Sequence, residues 1–337
     1  MSRGAFTAGD KVQLTGPKGK MHTITLQPGV IFHTTHGAIS HDDLIGADDG
    51  SVVRTPQGVE FLALRPQLRD VVMSMPRGAA IIYPKDAAEI LALADVRPGS
   101  RIVEAGVGSG ALSMWLLRAM AGTGHLYSFD LRPEFASIAQ ANAAAFFREQ
   151  PANWTVSIGD AADAIPEIVD AESADAVILD MLRPWDPLPA AIGALRPGGA
   201  FVAYVATVPQ LSRVTEALRD SGRFTDPVCS ESMVREWHAE GLAVRPEHRM
   251  VAHTGFLVTA RRLADGTIPP AVAQRPPKRA SYNAEDMEIW TPGALGERSI
   301  SPRKLRRVAR ETAADARLAL GDIPGDAGST ASSEEHS

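Results

Sequence analysis

A glycine-rich turn between a strand-like run and a helical segment is the feature that most restricts the fold of this chain. Residues 101–105 have strand character, glycines alternate at Gly106, Gly108 and Gly110, and residues 111–120 favour a helix. Glycine permits positive φ angles and close approach of a ligand, and a helix N-terminus offers unpaired N–H groups. The pattern predicts a strand–turn–helix unit of an α/β domain that binds a ligand at this turn.

The chain around this turn repeats the alternation of strands and helices. Strand-like runs occur at 125–129, 155–158, 174–179, 200–205 and 255–262, and helical stretches at 87–94, 133–147, 189–195 and 208–221. Repeated units of this kind predict a mostly parallel sheet with helices on both faces, which is a Rossmann-like α/β architecture. We assign residues 78–265 to this domain.

The flanking segments differ from this domain in composition. Residues 1–77 contain short alternating runs separated by glycine- and proline-rich turns, which predict a small β-rich domain. Residues 266–337 form an extension with a basic helix candidate at 301–320 and a disordered, acidic tail. The basic helix is either an RNA-contacting arm or a solubilising segment, and its sequence favours neither.

Composition limits the class of protein. No apolar stretch approaches the ~20 residues that span a bilayer, so we expect no membrane contact. The single cysteine, Cys229, excludes an intrachain disulfide, and the first residues lack a secretory apolar region, so we expect a cytoplasmic location. A net charge of −6 argues against a nucleic-acid partner. The acidic surplus lies within residues 78–265, however, so the whole-chain sum does not exclude one.

The residues around the glycines indicate which ligand binds there. The spacing is Gly-x-Gly-x-Gly, not the Gly-x-Gly-x-x-Gly of dinucleotide folds. Glu104 lies two residues before Gly106, where it would repel a pyrophosphate and favour a cation. Asp130 ends the next strand, where a carboxylate accepts the hydroxyls of a ribose. These features favour S-adenosylmethionine, and a nicotinamide cofactor or a turn without a ligand are the alternatives.

Two further carboxylates follow strands. Asp160, in Gly-Asp-Ala, either accepts the adenine amino group of the cofactor or belongs to an ordinary turn. Asp180 opens Asp-Met-Leu-Arg-Pro-Trp, which resembles motifs of enzymes that methylate nitrogen on nucleobases. A carboxylate there accepts from the exocyclic amine of adenine and stabilises the cation formed by methylation at N1. A helix N-cap is the alternative role for Asp180.

Further motifs accompany these carboxylates in a fixed order. They are His-Gly at 36–37, His-Asp-Asp-Leu-Ile-Gly at 41–46, Tyr-Pro-Lys-Asp at 83–86, residues 104–112, residues 180–185, Ala-Tyr at 203–204, Arg-Pro-Glu-His-Arg at 245–249 and His-Thr-Gly-Phe-Leu at 253–257. Together they resemble the bacterial tRNA (adenine-58-N1)-methyltransferases, the actinobacterial branch in particular, over residues 8–265. The resemblance implies a class I S-adenosylmethionine-dependent methyltransferase fold, an adenine in the T-loop of tRNA as acceptor, and a homotetramer.

The resemblance also implies roles for individual residues. Asp180 would hold the target adenine, and Tyr83 and Tyr204 would flank its pocket. The implied cofactor-binding set is Glu104, Gly106, Gly108, Ser109, Gly110, Ala111, Leu112, Asp130, Phe135, Asp160, Ala161 and Asp180. Many family members have Glu where this chain has Asp130, and we expect the shorter side chain to reach the ribose.

Three histidines, His33, His36 and His41, lie close together in the sequence. Their spacing matches no zinc pattern and no cysteine accompanies them, so we expect no metal site and assign them to hydrogen bonding or RNA contact. Two alternative functions remain at this point. One is a methyltransferase that acts on a protein or a small molecule, and the other is a non-catalytic RNA-binding subunit.

Overall fold

The chain divides into two units. The computed structural model describes residues 4–270 and 300–321. The first unit contains residues 4–75, 141–150 and 310–321, and the second contains residues 76–140, 151–270 and 300–309. The N-terminal boundary falls two residues before the predicted one, and the described part of 266–337 is shared between the two units. The predicted acidic tail lies outside the described residues.

The first unit is built on short antiparallel strands. They are β1 (Lys11–Thr15), β2 (Met21–Thr25), β3 (Ile31–Thr34), β4 (Gly37–Ser40), β5 (Ser51–Arg54) and β6 (Glu60–Leu64), with a 3-10 turn at Pro17–Gly19. A four-stranded sheet has the order β2-β1-β6-β5, and β3 pairs with β4 in a separate hairpin. Val12, Leu14, Phe61 and Ala63 alternate with partly buried or exposed neighbours and belong to its core, as expected for a sheet with one buried face. The sequence did not predict β4 or the helix α1 (Leu68–Ser74).

An ion cluster stabilises the first unit. Asp10 is buried and accepts from Arg65 Nη2 at 2.9 Å and from Arg148 Nη1 at 2.5 Å. Burial alone would raise the pKa of Asp10, but hydrogen bonds from Thr7 and Arg65 lower it below its usual value. The side chain of Lys11 pairs with Asp315 at 2.7 Å. These contacts tie the strands to the segments 141–150 and 310–321 within the same unit.

The second unit is the predicted α/β domain. Its sheet strands are β7 (Arg101–Ala105), β8 (His125–Asp130), β9 (Trp154–Ile158), β10 (Ala174–Asp180), β11 (Leu195–Val205), β12 (Val228–Ser230) and β15 (Phe256–Arg261). The strand order is β12-β15-β11-β10-β7-β8-β9, and β7 to β11 pair in parallel. The chain order reverses direction between β7 and β10, which is where open α/β sheets bind their ligands. The mostly parallel sheet is therefore confirmed, with antiparallel β15 and β12 at one edge.

The helices begin at residues that stabilise helix starts. They are α2 (Pro84–Leu93), α3 (Ala111–Met120), α4 (Pro133–Phe147), α5 (Ala161–Ile168), α6 (Leu188–Ala194), α7 (Val208–Asp220) and α8 (Pro302–Ala319). Thr207 and Gln210 form a capping box at α7, and proline occupies the first turn of α2 and α7. Helix α8 confirms the predicted basic helix, whereas α5 was not predicted.

A hairpin that the sequence did not predict lies between β12 and β15. Its strands are β13 (Trp237–Glu240) and β14 (Ala243–Pro246), and they pair only with each other among the described strands. Large apolar side chains on and around it are exposed: Met233, Val234, Trp237, Leu242, Val244, Met250 and Val251. An exposed apolar group of this size is typical of an interaction surface.

Candidate active site at the carboxyl ends of the strands

Three carboxylates converge where the parallel strands end. Ile178 of β10 is the register partner of Glu104 on β7, and Glu104 is the partner of Ser128 on β8. Asp130 and Asp180 are the last residues of β8 and β10. Because these strands are adjacent and parallel, Glu104, Asp130 and Asp180 lie close enough for their charges to interact. The predicted grouping of these three residues is found in the structure.

Glu104 is fully buried beneath the glycine turn. Its Oε2 atom accepts hydrogen bonds from Ser113 Oγ at 2.7 Å and Ser128 Oγ at 2.6 Å. Its Oε1 atom is buried and has no hydrogen-bond partner among the described residues. Burial raises the pKa of Glu104 to about 7, with the serine hydrogen bonds acting against this rise and the charge of Asp130 adding to it. A buried acceptor without a partner is costly, and a cationic donor would relieve that cost.

Asp130 connects the next strand to the glycine turn. Its Oδ2 atom accepts from the Gly108 N–H at 3.1 Å, and its Oδ1 atom accepts from the Arg132 backbone N–H at 3.0 Å. The Arg132 guanidinium lies 3.9 Å from the centre of the Phe135 ring. Phe135 is itself only 1% exposed, so the structure places it beneath the surface of this region.

The three glycines of the turn have three different surroundings. A Cβ on Gly106 would collide with the backbone carbonyl of Asp180, and a Cβ on Gly110 would lie 3.0 Å from the Cα of Ala139 in α4. A Cβ on Gly108 would meet nothing closer than Ala79, at 3.9 Å. Gly106 and Gly110 are therefore required by packing within the protein. Only Gly108 leaves open space that a ligand can use.

Asp180 occupies the position between the glycine turn and β11. It is half-buried, and its register partner on β11 is Tyr204. Burial raises the pKa of Asp180 to about 7, and the charges of Glu104 and Asp130 raise it further in the same direction. The loop that follows is held by Gln210, whose Nε2 donates to the Leu182 carbonyl at 2.8 Å. The expected alternative, a helix N-cap, does not apply, since the next helix starts at Leu188.

Tyr204 belongs to a buried polar network. Its hydroxyl lies in hydrogen-bond contact with Thr254 and Asp86, and burial raises its pKa above the usual value. Asp86 accepts from Lys85 Nζ at 2.6 Å and from Thr254 Oγ1 at 2.6 Å. Lys85 also donates to Thr254 Oγ1 at 2.6 Å, and Asp86 accepts from Ser232 Oγ at 3.0 Å. The network fixes the Tyr204 ring beside Asp180.

The close fit around Tyr204 extends to the residue after Thr254. A Cβ on Gly255 would collide with two ring carbons and the hydroxyl oxygen of Tyr204, so only glycine allows this contact. Tyr83, the other predicted pocket residue, is half-buried and occupies the N-cap position of α2, three residues before Asp86. Its side chain forms no hydrogen bond with Asp180 or Tyr204 within the part of the chain that the structure describes.

The remaining predicted cofactor residues are placed as follows. Asp160 is exposed and caps α5, accepting from the Ala162 N–H at 2.9 Å, so its local role is that of a helix N-cap. It follows β9, at the edge of the sheet and two strands from β7. Four others are buried at the starts of helices α3 and α5: Ser109, Ala111, Leu112 and Ala161.

Sequence reasoning missed the roles of four residues in the polar network. Lys85, Asp86 and Thr254 lie within motifs that carried the resemblance, but no chemistry was assigned to them. Ser232 lies in a segment with no distinguishing pattern. The one available signal was a charged pair, Lys85-Asp86, directly after Pro84 at a predicted helix start.

His33, His36 and His41 are not gathered into a metal-binding cluster. Within residues 4–270 and 300–321, no group of three or more His, Cys, Asp or Glu side chains is arranged to hold a metal ion. His41 is buried, and its Nδ1 atom accepts from the Gln27 N–H at 3.0 Å. No helix in the described part of the chain is long and apolar enough to cross a membrane.

These residues fit S-adenosylmethionine. The open space at Gly108 admits a ligand beside the backbone, and Glu104 Oε1 is an acceptor that awaits a donor. Glu104, Asp130 and Asp180 provide a negative environment suited to a ligand with a sulfonium and an ammonium group, and unsuited to a pyrophosphate. This arrangement argues against the nicotinamide alternative.

Comparison with known proteins agrees with this chemistry. Residues 4–53 match the TrmI-like N-terminal family, and residues 59–244 match the tRNA methyltransferase complex GCD14 subunit family. The chain is 35% identical over 245 residues to the tRNA (adenine(58)-N(1))-methyltransferase TrmI of Thermus thermophilus, covering 73% of this chain and 94% of that protein. It is 30% identical to the tRNA (adenine(57)-N(1)/adenine(58)-N(1))-methyltransferase TrmI of Methanocaldococcus jannaschii, covering 68% and 87%.

Solved structures support the same assignment. The tRNA (m1A58) methyltransferase TrmI of Aquifex aeolicus matches with a TM-score of 0.68 at 27% identity, covering 77% of this chain and 99% of that one. A protein of Thermotoga maritima described as a SAM-dependent O-methyltransferase matches with a TM-score of 0.72 at 30% identity, covering 77% and 95%. The second unit has the class I S-adenosylmethionine-dependent methyltransferase fold, and the chain belongs to the tRNA methyltransferase complex GCD14 subunit family.

Proposed function

We propose that this chain transfers a methyl group from S-adenosylmethionine to N1 of adenine 58 in the T-loop of tRNA. The observation that carries the proposal is the contact between the Gly106 backbone and the Asp180 carbonyl. It supports the proposal because the glycine turn and Asp180 adjoin one another at the switch point of the sheet, where open α/β sheets bind their ligands. The names of the two relatives reported above describe methylation at N1 of adenine 58 in tRNA, and the name of the Methanocaldococcus jannaschii protein adds N1 of adenine 57.

The donor side of the site is formed by the glycine turn and its carboxylates. Glu104 Oε1 and the loop around Gly108 would hold the methionine part, Asp130 the ribose, and Asp160 with Ala161 the adenine. S-adenosylmethionine, when bound, would supply the methyl group. The lone pair on N1 of adenine forms the new C–N bond, and the electron pair of the broken C–S bond stays on sulfur. Little acid–base chemistry is required, so these residues contribute mainly by orientation.

On the acceptor side, Asp180 has the role that requires a charge. An ionised Asp180 accepts from the exocyclic amine of adenine, which orients the ring and stabilises the cationic product. The adenine must leave its stack, since N1 lies on the pairing edge. Tyr204, fixed by Asp86 and Thr254, would form one wall of the pocket, and Tyr83 at the start of α2 would form another.

The assembly and location follow from the surface and the substrate. We infer a homotetramer, supported by the exposed apolar hairpin that contains Trp237 and Val244. We infer a cytoplasmic enzyme, supported by the use of tRNA as substrate.

The proposal is tested by incubating the full chain with labelled S-adenosylmethionine and an unmodified tRNA transcript, followed by nucleoside analysis. We expect 1-methyladenosine in this transcript and none in a matched transcript with guanine at position 58. A chain that binds the donor but forms no 1-methyladenosine, or that methylates an oxygen instead, would contradict the proposal.

A further inference from the structure

The first two turns of α8 present an exposed basic surface. We call Arg303, Lys304, Arg306 and Arg307 the basic turn, and all four residues are exposed. Leu305 and Val308, between and after them, face inward. Arg303, Lys304 and Arg306 form no ion pair with any residue in the described ranges. Positive charge is therefore concentrated here in a chain whose net charge is −6.

Helix stability does not explain this charge. The first turn of α8 contains no acidic residue, although the N-terminus of a helix favours acidic side chains and disfavours basic ones. Exposed cations at this end of a helix therefore destabilise it. The two signs of charge are segregated along α8, since the residues from Arg303 to Arg310 include five basic and no acidic groups and the acidic residues Glu311 and Asp315 come after them. A solubilising surface usually intersperses both signs. The pattern indicates an anionic partner.

Packing places the basic turn beside the candidate site. A Cβ on Gly78 would lie 3.0 Å from Leu305 Cδ1 and 3.0 Å from Phe135 Cε1, so α8 packs against the segment that contains Gly78. The next residue, Ala79, borders the open space at Gly108. The half-exposed Arg132 guanidinium packs over the Phe135 ring and also pairs with Asp130. All of these residues belong to the second unit.

A polyanionic substrate needs positive charge at this position. The site contains three carboxylates, Glu104, Asp130 and Asp180, which repel phosphates that approach them. Cations at the rim would offset this repulsion. Arginine predominates in the basic turn, and its planar guanidinium binds phosphate oxygens in pairs. The family matches end at residue 244, so α8 lies outside them.

We propose that the basic turn of α8 binds phosphates of the tRNA backbone and so holds the substrate over the site, an inference that rests on the proposed function for the identity of the RNA. Such contacts are independent of sequence and depend steeply on salt. They position the substrate and take no part in methyl transfer.

The test compares two full-length triple variants that lose the same charge. The first is Arg303→Gln, Lys304→Gln, Arg306→Gln. The control is Arg54→Gln, Arg69→Gln, Arg97→Gln, in which each arginine is exposed and already lies beside a carboxylate. Dissociation constants for a tRNA transcript are measured between about 50 and 200 mM salt. Affinity for S-adenosylmethionine and thermal unfolding are measured in parallel, to confirm that both variants are folded.

For the basic-turn variant, the slope of log Kd against the logarithm of the salt concentration should decrease by about 2 to 3. Its affinity for tRNA at low salt should decrease by about tenfold or more. The control variant should retain the wild-type slope, and both should bind S-adenosylmethionine normally. A basic-turn variant whose slope and affinity equal those of the control would overturn the proposal. Binding of both variants to vesicles of anionic phospholipid is measured as well. A basic-turn variant that loses binding to these vesicles but binds tRNA like the wild type would also overturn the proposal.

This outcome is separable from the test of the proposed function. A wild-type chain that binds tRNA without forming 1-methyladenosine contradicts the proposed function and leaves the binding comparison valid. A basic-turn variant that binds and methylates tRNA like the control contradicts only the present inference.

Discussion

The backbone carbonyl of Asp180 fills the space that a side chain at Gly106 would need. Gly106 has a φ of 93°, and its N–H donates to the Phe129 carbonyl at 2.9 Å. Gly106 thereby holds the end of β7 against the end of β8 at Phe129 and the end of β10 at Asp180. The glycine turn and Asp180, which we propose as donor and acceptor sides of the site, are held together by backbone packing, so their spacing does not depend on flexible side chains.

Replacing Gly106 by Ala should destabilise the fold strongly, whereas replacing Gly108 by Ala should destabilise it less and weaken donor binding. The Cβ at Gly106 would displace the Asp180 backbone and should lower the free energy of unfolding by several kcal/mol, in the range of overpacked or strained sites. At Gly108 the cost is about 1–2 kcal/mol for a left-handed backbone. Urea unfolding and S-adenosylmethionine titration would compare the two. Equal losses of stability would show that the packing argument is wrong.

Asp180→Asn should reduce turnover and leave donor affinity nearly unchanged. The amide keeps the size of the carboxylate but cannot supply the charge that stabilises the methylated adenine, so we expect a loss of about 100-fold or more in kcat. Single-turnover methylation of tRNA and calorimetric titration with S-adenosylmethionine measure the two effects. Near-normal turnover in this variant would refute the role of Asp180.

The raised pKa values of Glu104 and Asp180 should make the ligand-free protein less stable as the pH rises. Glu104 and Asp180 have pKa values raised to about 7, so between about pH 4.5 and 7 the folded state binds more protons than the unfolded state. The contribution of these two groups to the free energy of unfolding therefore falls as the pH rises across that range. Denaturant titrations at several pH values check this for the wild type and Glu104→Gln, which should show a smaller fall. Identical pH profiles would contradict it.

Breaking the buried Lys85–Asp86 pair should cost far more than breaking a surface pair. Lys85→Met leaves Asp86 buried without its cation, which typically costs about 3–5 kcal/mol. Arg54→Met, which removes the exposed partner of Glu60, should cost less than about 1 kcal/mol. The double variant Lys85→Met, Asp86→Asn should recover part of the loss, because no unpaired charge remains. Chemical unfolding measures all three, and a Lys85→Met cost as small as the surface one would contradict the proposed network.

Polar substitutions on the exposed hairpin should dissociate the proposed homotetramer. Trp237 and Val244 are 62% and 60% exposed, and the variant Trp237→Ser, Val244→Ser removes apolar area that self-association would bury. We expect a tetrameric mass for the wild type and a smaller one for the variant by light scattering. Val52→Ser, at an exposed apolar position of the first unit, serves as the control and should keep the wild-type mass. A monomeric wild type would contradict the inferred assembly.

Much of the second unit was predictable because its local signals agree. The runs at β7, β8 and β10 combine strand propensity with a glycine turn or an acidic residue at the carboxyl end, and parallel topology brings such ends together. The hairpin β13–β14 was missed because its side chains are mostly exposed, so no alternation of buried and exposed residues marks it. Helix α5 was missed because it is short and contains Pro166.

The sequence by itself determined the α/β class, the glycine turn and the positions of the carboxylates Glu104, Asp130 and Asp180 at or near strand ends, since these follow from local patterns. Only the tertiary structure decided which glycine is open to a ligand and which residues hold Tyr204. The contacts of Gly106 with Asp180, and of Asp86 with Thr254, join positions 74 and 168 residues apart in the chain. Hydrogen bonding and close packing act through space, so no local pattern encodes them.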